Sequence, residues 1–166
     1  MKKPLTYISL FSSAGIGCYG FKLNGYDCIA TNELLSKRLK IQAFNKKCKY
    51  ESGYIDGDIT KQEVKQKLFN ELEFWKEKYK IKTPDVLIAT PPCQGMSKNG
   101  RGKLLSLIRN GERPKLDPRN QLIVPTVDIA KKLSPEIIVF ENVPEMKDTL
   151  IEYDNKLINI MIFFNN

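Results

Sequence analysis

Short apolar runs alternate along the chain with longer stretches of mixed polarity. The apolar runs have the length of buried strands, and the mixed stretches carry the spacing of helices with one face in a core. The strands are predicted over 7–10, 26–31, 53–55, 85–89 and 136–140. The helices are predicted over 18–23, 34–46, 60–80 and 119–133. This alternation predicts an α/β fold in which a parallel sheet is covered by helices on both faces.

Local signals add two further expectations about helices. Thr60, with Glu63 three residues on, has the pattern of a capping box, so Thr60 is expected to be the N-cap of the helix over 60–80. The apolar residues between Leu150 and Met161 keep a helical spacing, which predicts another helix there. The apolar run over 162–164 then breaks its amphipathic pattern.

Residues that could take part in ligand binding or catalysis directly follow the predicted strands. The carboxyl ends of parallel strands meet at one edge of an open sheet, and ligands bind beyond that edge. A single surface is therefore expected to collect the segments 12–17, Glu33, Asp58, 91–97 and 141–142.

The first of these segments favours a nucleotide-like ligand. Gly15, Gly17 and Gly20 form a G-x-G-x-x-G pattern between a strand and a helix, where glycine permits a tight turn and a close ligand. Glu33 is placed to accept hydrogen bonds from ribose hydroxyls, and Asp58 could accept from an adenine amino group. Together they indicate a cofactor that contains adenosine. The alternative is a glycine turn with two surface carboxylates.

Two other segments offer groups for covalent and acid catalysis. Pro91 and Pro92 restrict the backbone before Cys93, so that its thiol is presented in a defined direction, as suits a nucleophile. Glu141 follows a buried strand, where burial should raise its pKa and suit it to donate a proton. The alternatives are a structural cysteine and a helix-capping carboxylate.

The composition of the chain limits which kinds of catalytic and metal site it could contain. The 166 residues suffice for one domain of ordinary size, and 42% hydrophobic with 28% charged residues is typical of a globular protein. The chain has no histidine, which excludes histidine bases and histidine metal ligands, and its four cysteines are scattered, so no metal site is expected. No apolar run could span a membrane and residues 1–4 lack a signal-peptide pattern, so a cytoplasmic location is expected.

The net charge of +8 favours an anionic partner, nucleic acid first. The alternative is a bias of composition, because the chain has 22 lysines against five arginines.

Four segments then make a family resemblance visible. They occur in order at matching spacing and cover 11–17, 91–97, 117–122 and 141–143. With these segments, residues 5 to about 150 closely resemble the first half of a bacterial DNA cytosine 5-methyltransferase. The Pro-Pro-Cys-Gln and Glu-Asn-Val motifs are the most specific part of the resemblance.

The resemblance implies a Rossmann-like fold that uses S-adenosylmethionine as cofactor and is incomplete at its C-terminal side. Residues 1–166 would be the N-terminal part of the catalytic domain, without the target-recognition domain. The expected substrate is a cytosine flipped out of double-stranded DNA, in a restriction-modification system. Cys93 would attack carbon 6 of the base while Glu141 protonates nitrogen 3, and Asn142 would support the loop that carries Cys93.

The resemblance also assigns binding residues by position. The cofactor pocket would be formed by Phe11, Ala14, Gly15, Ile16, Glu33, Leu34, Asp58, Ile59, Pro92 and Leu122. The expected DNA-binding residues are Gln94, Ser97, Lys98, Arg101, Lys103, Arg109 and Arg113. Those from Lys98 onward belong to the basic loop over 98–119, which closes over DNA in the family; the alternative is an ordinary solvated loop. Ser13 and Ile16 stand where many members of the family have glycine.

The segments that follow Glu-Asn-Val in full-length members are not found in these 166 residues. Three accounts stay open: a fragment of a disrupted gene, one subunit of a split enzyme whose partner chain carries the recognition domain, and an incomplete sequence. Two other functions also stay open, namely a non-catalytic remnant that binds cofactor or DNA, and a tRNA cytosine methyltransferase. In each account residues 137–140 are expected to form an exposed apolar sheet edge that favours self-association.

Overall fold

The structure is a computed structural model that describes residues 3–93, 96 and 117–164. The chain divides into two compact units. The sheet unit comprises Met1–Thr90 and Asp128–Phe140, and the hairpin unit comprises Pro91–Val127 and Glu141–Asn166. Among the described residues, no helix has the length and apolar character needed to cross a membrane.

The sheet unit contains five parallel strands in the order β3-β2-β1-β4-β5. Their bounds are β1 Thr6–Leu10, β2 Asp27–Glu33, β3 Tyr54–Asp56, β4 Val86–Ala89 and β5 Ile137–Phe140. All five lie where the apolar pattern predicted strands. Because every pair is parallel, the carboxyl ends of the strands share one edge, as the sequence analysis expected.

Helices cover both faces of this sheet. The α-helices that pack in the sheet unit are α1 Tyr19–Leu23, α2 Ser36–Phe44, α3 Gln62–Tyr79 and the second half of α4 Ile123–Leu133. Ile8 and Leu10 of β1 join α3 and α4 in one apolar cluster that includes the fully buried Trp75. Tyr7, on the opposite face of the strand, packs with Cys18 and with Phe21 of α1. The predicted two-sided α/β arrangement is therefore confirmed.

The start of α3 differs from its prediction. Lys61, and not Thr60, is the N-cap, and no side chain caps this end. The backbone N–H of Thr60 donates instead to Asp58 Oδ1 at 2.9 Å. The expected capping box is wrong because the Asp58 carboxylate forms a local turn with Thr60 and the helix begins one residue later than the pattern placed it.

The hairpin unit corrects the second helix prediction. Residues 150–159 form an antiparallel hairpin of β6 Leu150–Tyr153 and β7 Lys156–Asn159, and the helix α5 covers Ile160–Phe164 only. Asp154 and Asn155 connect the strands with φ of 50° and 58°. Two consecutive left-handed residues form the tight turn whose twist matches paired strands, so local turn chemistry prevails over helical spacing.

Candidate active site

The loop after β1 alternates between left-handed and ordinary backbone conformations. Phe11, Ser13 and Gly15 have φ of 56°, 49° and 86°. The loop is tied to β2 by the Ser12 N–H, which donates to Asn32 O at 3.1 Å, and it is closed by the Gly15 N–H, which donates to Ser12 O at 2.8 Å. A Cβ at Gly15 would lie 3.1 Å from Gln42 Cγ in addition to being strained by the positive φ. Glycine is therefore required here by both conformation and space.

Glu33 is the last residue of β2, and its buried carboxylate holds the loop. Glu33 Oε2 accepts from the Ser13 N–H at 2.8 Å. Oε1 accepts from the Leu35 N–H and from Arg38 Nη1, both at 3.2 Å. A carboxylate oxygen accepts about two hydrogen bonds, so Oε2 can take a further donor such as a hydroxyl.

A second carboxylate follows β3. The Thr60 N–H that donates to Asp58 lowers the pKa of this carboxyl below its ordinary value, which keeps it ionised and able to accept hydrogen bonds. The side chain of its neighbour Ile59 is buried in the core, so Ile59 could face a ligand only through its backbone. Leu34 and Ile16, in contrast, are 64% and 83% exposed.

These groups fit the adenosine part of S-adenosylmethionine. Glu33 offers an acceptor for ribose hydroxyls, and Asp58 offers one for an exocyclic amino group. The exposed Leu34 and Ile16 side chains offer apolar surface for a ring. A cavity of about 360 Å³ also opens beside the loop, lined by Ala14, Gly15 and Ile16 together with Gln42 and Lys47, but the two carboxylates are not part of its lining.

In the hairpin unit, Cys93 is half-buried and directly follows Pro91 and Pro92. A turn in which the Met96 N–H donates to Cys93 O at 2.9 Å closes the segment, and the Met96 side chain is fully buried. The Asn142 amide donates to Pro91 O at 3.1 Å, while its Oδ1 accepts from the Val143 N–H at 2.8 Å. Asn142 thus connects the segment after β5 to the segment that carries the cysteine.

Asp117 and Arg119 form an ion pair in the same unit. Arg119 Nε donates to Asp117 Oδ1 at 2.8 Å, and this bond raises the pKa of the guanidinium, with a smaller contribution from Cys93.

Comparison with known proteins identifies the family to which this chain belongs. The family model of C-5 cytosine-specific DNA methylases matches residues 5–163 of the chain. The chain belongs to this family. The resemblance found in the four sequence segments is confirmed, and the parallel α/β sheet is the fold of an S-adenosylmethionine-dependent methyltransferase of this family.

Curated members of the family are similar over most of the chain. Type II methyltransferase M1.HgaI of Avibacterium volantium is 38% identical over 157 residues, which are 95% of this chain and 40% of the relative. Type II methyltransferase M1.HphI of Haemophilus parahaemolyticus is 32% identical over 142 residues, or 86% of this chain and 33% of the relative. The chain spans between 28% and 40% of the length of the curated relatives it matches.

The structure distributes the expected methylase residues over both units. Phe11, Ala14, Gly15, Ile16, Glu33, Leu34, Asp58 and Ile59 lie in the sheet unit, and Pro92, Cys93, Leu122, Glu141 and Asn142 lie in the hairpin unit. Glu141 directly follows β5 and is exposed, so the burial expected for it is wrong. The expected DNA-binding residues Gln94, Ser97, Lys98, Arg101, Lys103, Arg109 and Arg113 lie outside the described residues.

Sequence analysis missed two residues of α2 that contact this site. Arg38 bonds Glu33, and Gln42 contacts the loop after β1. They lie four positions apart and therefore on one face of the helix. That spacing, directly after the Glu33 strand, was the signal available in the sequence.

Proposed function

We propose that this chain is the catalytic part of an enzyme that methylates carbon 5 of cytosine in double-stranded DNA, within a type II restriction-modification system. The observation that carries the proposal is the presentation of Cys93 by two prolines, in a segment held by Asn142, in a chain of the C-5 cytosine methylase family. The cofactor is S-adenosylmethionine, which supplies an electrophilic methyl group when bound.

Cys93 is the nucleophile of the proposed reaction. Its thiol loses a proton to solvent, and the thiolate forms a bond to carbon 6 of the cytosine ring. The electrons of the 5,6 double bond shift to form a double bond between carbons 4 and 5, and the electrons of the bond between carbon 4 and nitrogen 3 take up a proton that Glu141 donates. After carbon 5 has been methylated, loss of its proton to a base restores the 5,6 double bond and expels Cys93 as thiolate, and nitrogen 3 returns its proton to Glu141.

Residues at the strand ends hold the cofactor in this proposal. Glu33 accepts from the ribose hydroxyls and Asp58 from the adenine amino group, with Leu34 and Ile16 beside the ring. The remaining wall is assigned to Phe11, Ala14, Gly15, the Ile59 backbone, Pro92 and Leu122.

The DNA partner follows from charge and chemistry. A net charge of +8 favours a polyanion, and the basic residues of the 98–113 segment would contact phosphates, so that affinity falls with salt. The target base must leave the duplex for a cysteine to reach carbon 6. A second polypeptide that carries a recognition domain is proposed as a further partner.

A covalent trap tests the proposal. The chain is incubated with S-adenosylmethionine and DNA in which 5-fluorocytosine replaces cytosine, because fluorine at carbon 5 blocks the final proton loss. We expect a covalent protein–DNA band that withstands denaturing gel electrophoresis.

Two variants decide which residue forms the adduct. Cys93→Ala should abolish the band, whereas Cys18→Ala, a matched change at a buried cysteine of the sheet unit, should retain it. If a band forms with RNA that contains 5-fluorocytosine but not with the corresponding DNA, the proposed DNA substrate is wrong and the substrate is a tRNA cytosine. Absence of a band in every arm would contradict the proposed activity.

A further inference from the structure

Ser13 has an unusual backbone conformation for a residue with a side chain. Its φ of 49° lies in the left-handed region, which L residues other than glycine, asparagine and aspartate rarely occupy. In this conformation the Ser13 N–H donates to Glu33 Oε2 at 2.8 Å. The orientation of the Glu33 carboxylate thus depends on a backbone conformation that serine does not favour by itself.

Gln42 of α2 binds the other side of the same residue. Its side chain is 1% exposed, and its Nε2 donates to Ser13 O at 2.6 Å. The second hydrogen of this amide is directed to Ser12 Oγ at 2.8 Å. Gln42 Cγ also packs beneath Gly15, where a Cβ would lie only 3.1 Å away. One buried side chain therefore contacts three residues of the loop.

Gln42 belongs to a buried network of hydrogen bonds. Lys47 Nζ donates to Thr31 Oγ1 at 2.9 Å, and the Thr31 hydroxyl lies 2.8 Å from Gln42 Oε1 and 2.7 Å from Ser12 Oγ, so its single proton can be donated to either oxygen. The Ser12 hydroxyl, which accepts from Gln42, donates in turn to Asn32 O at 3.1 Å. Both N–H groups of the Gln42 amide are thus paired, and the bond to the carbonyl of Ser13 fixes which amide atom faces the loop.

We propose that Gln42 is a positioning residue of the cofactor site, which holds Ser13 in the left-handed conformation so that its N–H orients the Glu33 carboxylate toward the ribose. This inference rests on the proposed function, because it assigns Glu33 to the cofactor. Gln42 itself touches the loop and not the proposed ligand groups of Glu33. Of the three loop residues that Gln42 contacts, Ser13 is the one whose N–H bonds Glu33, so we expect the effect on binding to pass mainly through Ser13.

A double-mutant cycle with Ser13 tests this route. Gln42→Met keeps the side-chain volume and removes all of its hydrogen bonds. We expect it to weaken binding of S-adenosylhomocysteine, measured by titration calorimetry, about ten-fold. Ser13→Gly is the second single variant of the cycle, because glycine adopts positive φ without support. Gln42→Met combined with Ser13→Gly should recover most of the lost affinity.

Amide exchange gives a readout that needs no cofactor. The N–H of residue 13 should exchange faster in Gln42→Met and regain protection when Ser13→Gly is added, because the bond to Glu33 forms again. Gln66→Met, on the exposed side of α3, is the matched control and should change neither quantity. If Gln42→Met does not fold, Gln42→Asn, which shortens the side chain by one methylene, enters the same cycle.

The outcomes separate the inference from the proposed function. If Gln42→Met loses as much affinity with Ser13→Gly as without it, or loses none at all, the positioning role is overturned while the cofactor site stays in place. Failure of the unmodified chain to bind S-adenosylhomocysteine would overturn the proposed cofactor site and this inference with it.

Discussion

Arg38 binds the carboxylate of Glu33 from the first turns of α2, with its Nη1 3.2 Å from Glu33 Oε1. The two side chains differ in environment, since that of Arg38 is 45% exposed and that of Glu33 only 5%. The guanidinium therefore compensates a buried negative charge while remaining in contact with solvent. This relationship gives the carboxylate proposed to bind ribose both a fixed orientation and a counter-charge.

Arg38→Met should weaken cofactor binding through Glu33. The substitution retains an aliphatic side chain but removes the ion pair, so we expect about three- to ten-fold weaker binding of S-adenosylhomocysteine. The loss should be smaller for the 2′,3′-dideoxy analogue, which has no ribose hydroxyls for Glu33 to accept from. Titration calorimetry with both ligands measures the difference.

The control for Arg38 is its neighbour on the same helix. Lys37→Met removes one positive charge from an exposed position and should leave both affinities unchanged. Equal losses for the two ligands in Arg38→Met would mean that Arg38 acts on the fold in general and not through the ribose carboxylate.

Asn142→Ala should slow the reaction of Cys93. The Asn142 amide donates to Pro91 O, two residues before the cysteine, so its removal loosens the segment that presents the thiol. We expect covalent trapping by 5-fluorocytosine DNA to slow about ten-fold. Asn159→Ala is the matched control, because Asn159 makes the same kind of bond, to Lys147 O at 2.7 Å, elsewhere in the hairpin unit. An unchanged trapping rate in Asn142→Ala would exclude a role in presenting Cys93.

The strands and the residues that follow them could be predicted because both depend on short sequence ranges. The run that became β4 is apolar and continuous, as required of a strand buried on both faces. Glu33 is the last residue of β2, so recognising where this strand ends was enough to place Glu33 at its carboxyl end. Parallel pairing then brings such residues to one edge, whatever the details of packing.

Other features could not be predicted from hydrophobic periodicity, because local turn formation or tertiary contacts decided them. The helical spacing over 150–161 was real, but the Asp154–Asn155 dipeptide turns the chain back on itself before a helix can form. Gln42 and Arg38 looked like ordinary polar residues of a surface helix. Their spacing of four positions places them on one face of α2, but the packing of that face against the loop after β1 is a tertiary contact that a single sequence does not encode locally.

Asp85 should make the stability of the sheet unit dependent on pH. Its carboxylate accepts from the Thr6 N–H at 2.7 Å, from Thr6 Oγ1 at 2.8 Å and from Lys3 Nζ at 3.1 Å. Burial by itself would raise the pKa of this carboxyl, but the bonds from Thr6 and Lys3 outweigh burial and lower it. A lowered pKa in the folded state means that the stabilisation is present above the unfolded pKa of about 3.9 and is lost as pH falls below it.

Asp85→Asn tests this dependence by urea unfolding at several pH values. At pH 7 the variant should be less stable by about 1–3 kcal/mol, because the Thr6 N–H loses a charged acceptor. The difference from the unmodified chain should begin to shrink as the pH falls below about 4, where the Asp85 carboxyl of the unfolded chain takes up a proton, and should disappear once the pH falls through the lowered pKa of the folded state. Asp128→Asn, on the exposed face of α4, is the control. A difference that stays constant down to pH 3 would contradict the assignment to Asp85.

Among the described residues, β5 is the last strand on its side of the sheet, and this edge should promote self-association. Ile137 and Ile138 are 57% and 47% exposed, which confirms the expected apolar edge. A terminal strand offers backbone N–H and C=O groups to another chain, and apolar side chains strengthen such pairing.

Ile138→Lys should therefore shift the chain toward monomer in sedimentation velocity, because a charge on an edge strand opposes pairing. Leu23→Lys changes an equally apolar exposed residue of α1 that is on no strand, and it should leave the distribution unaltered. If the unmodified chain sediments as a monomer, or if both variants shift it alike, association does not proceed through β5.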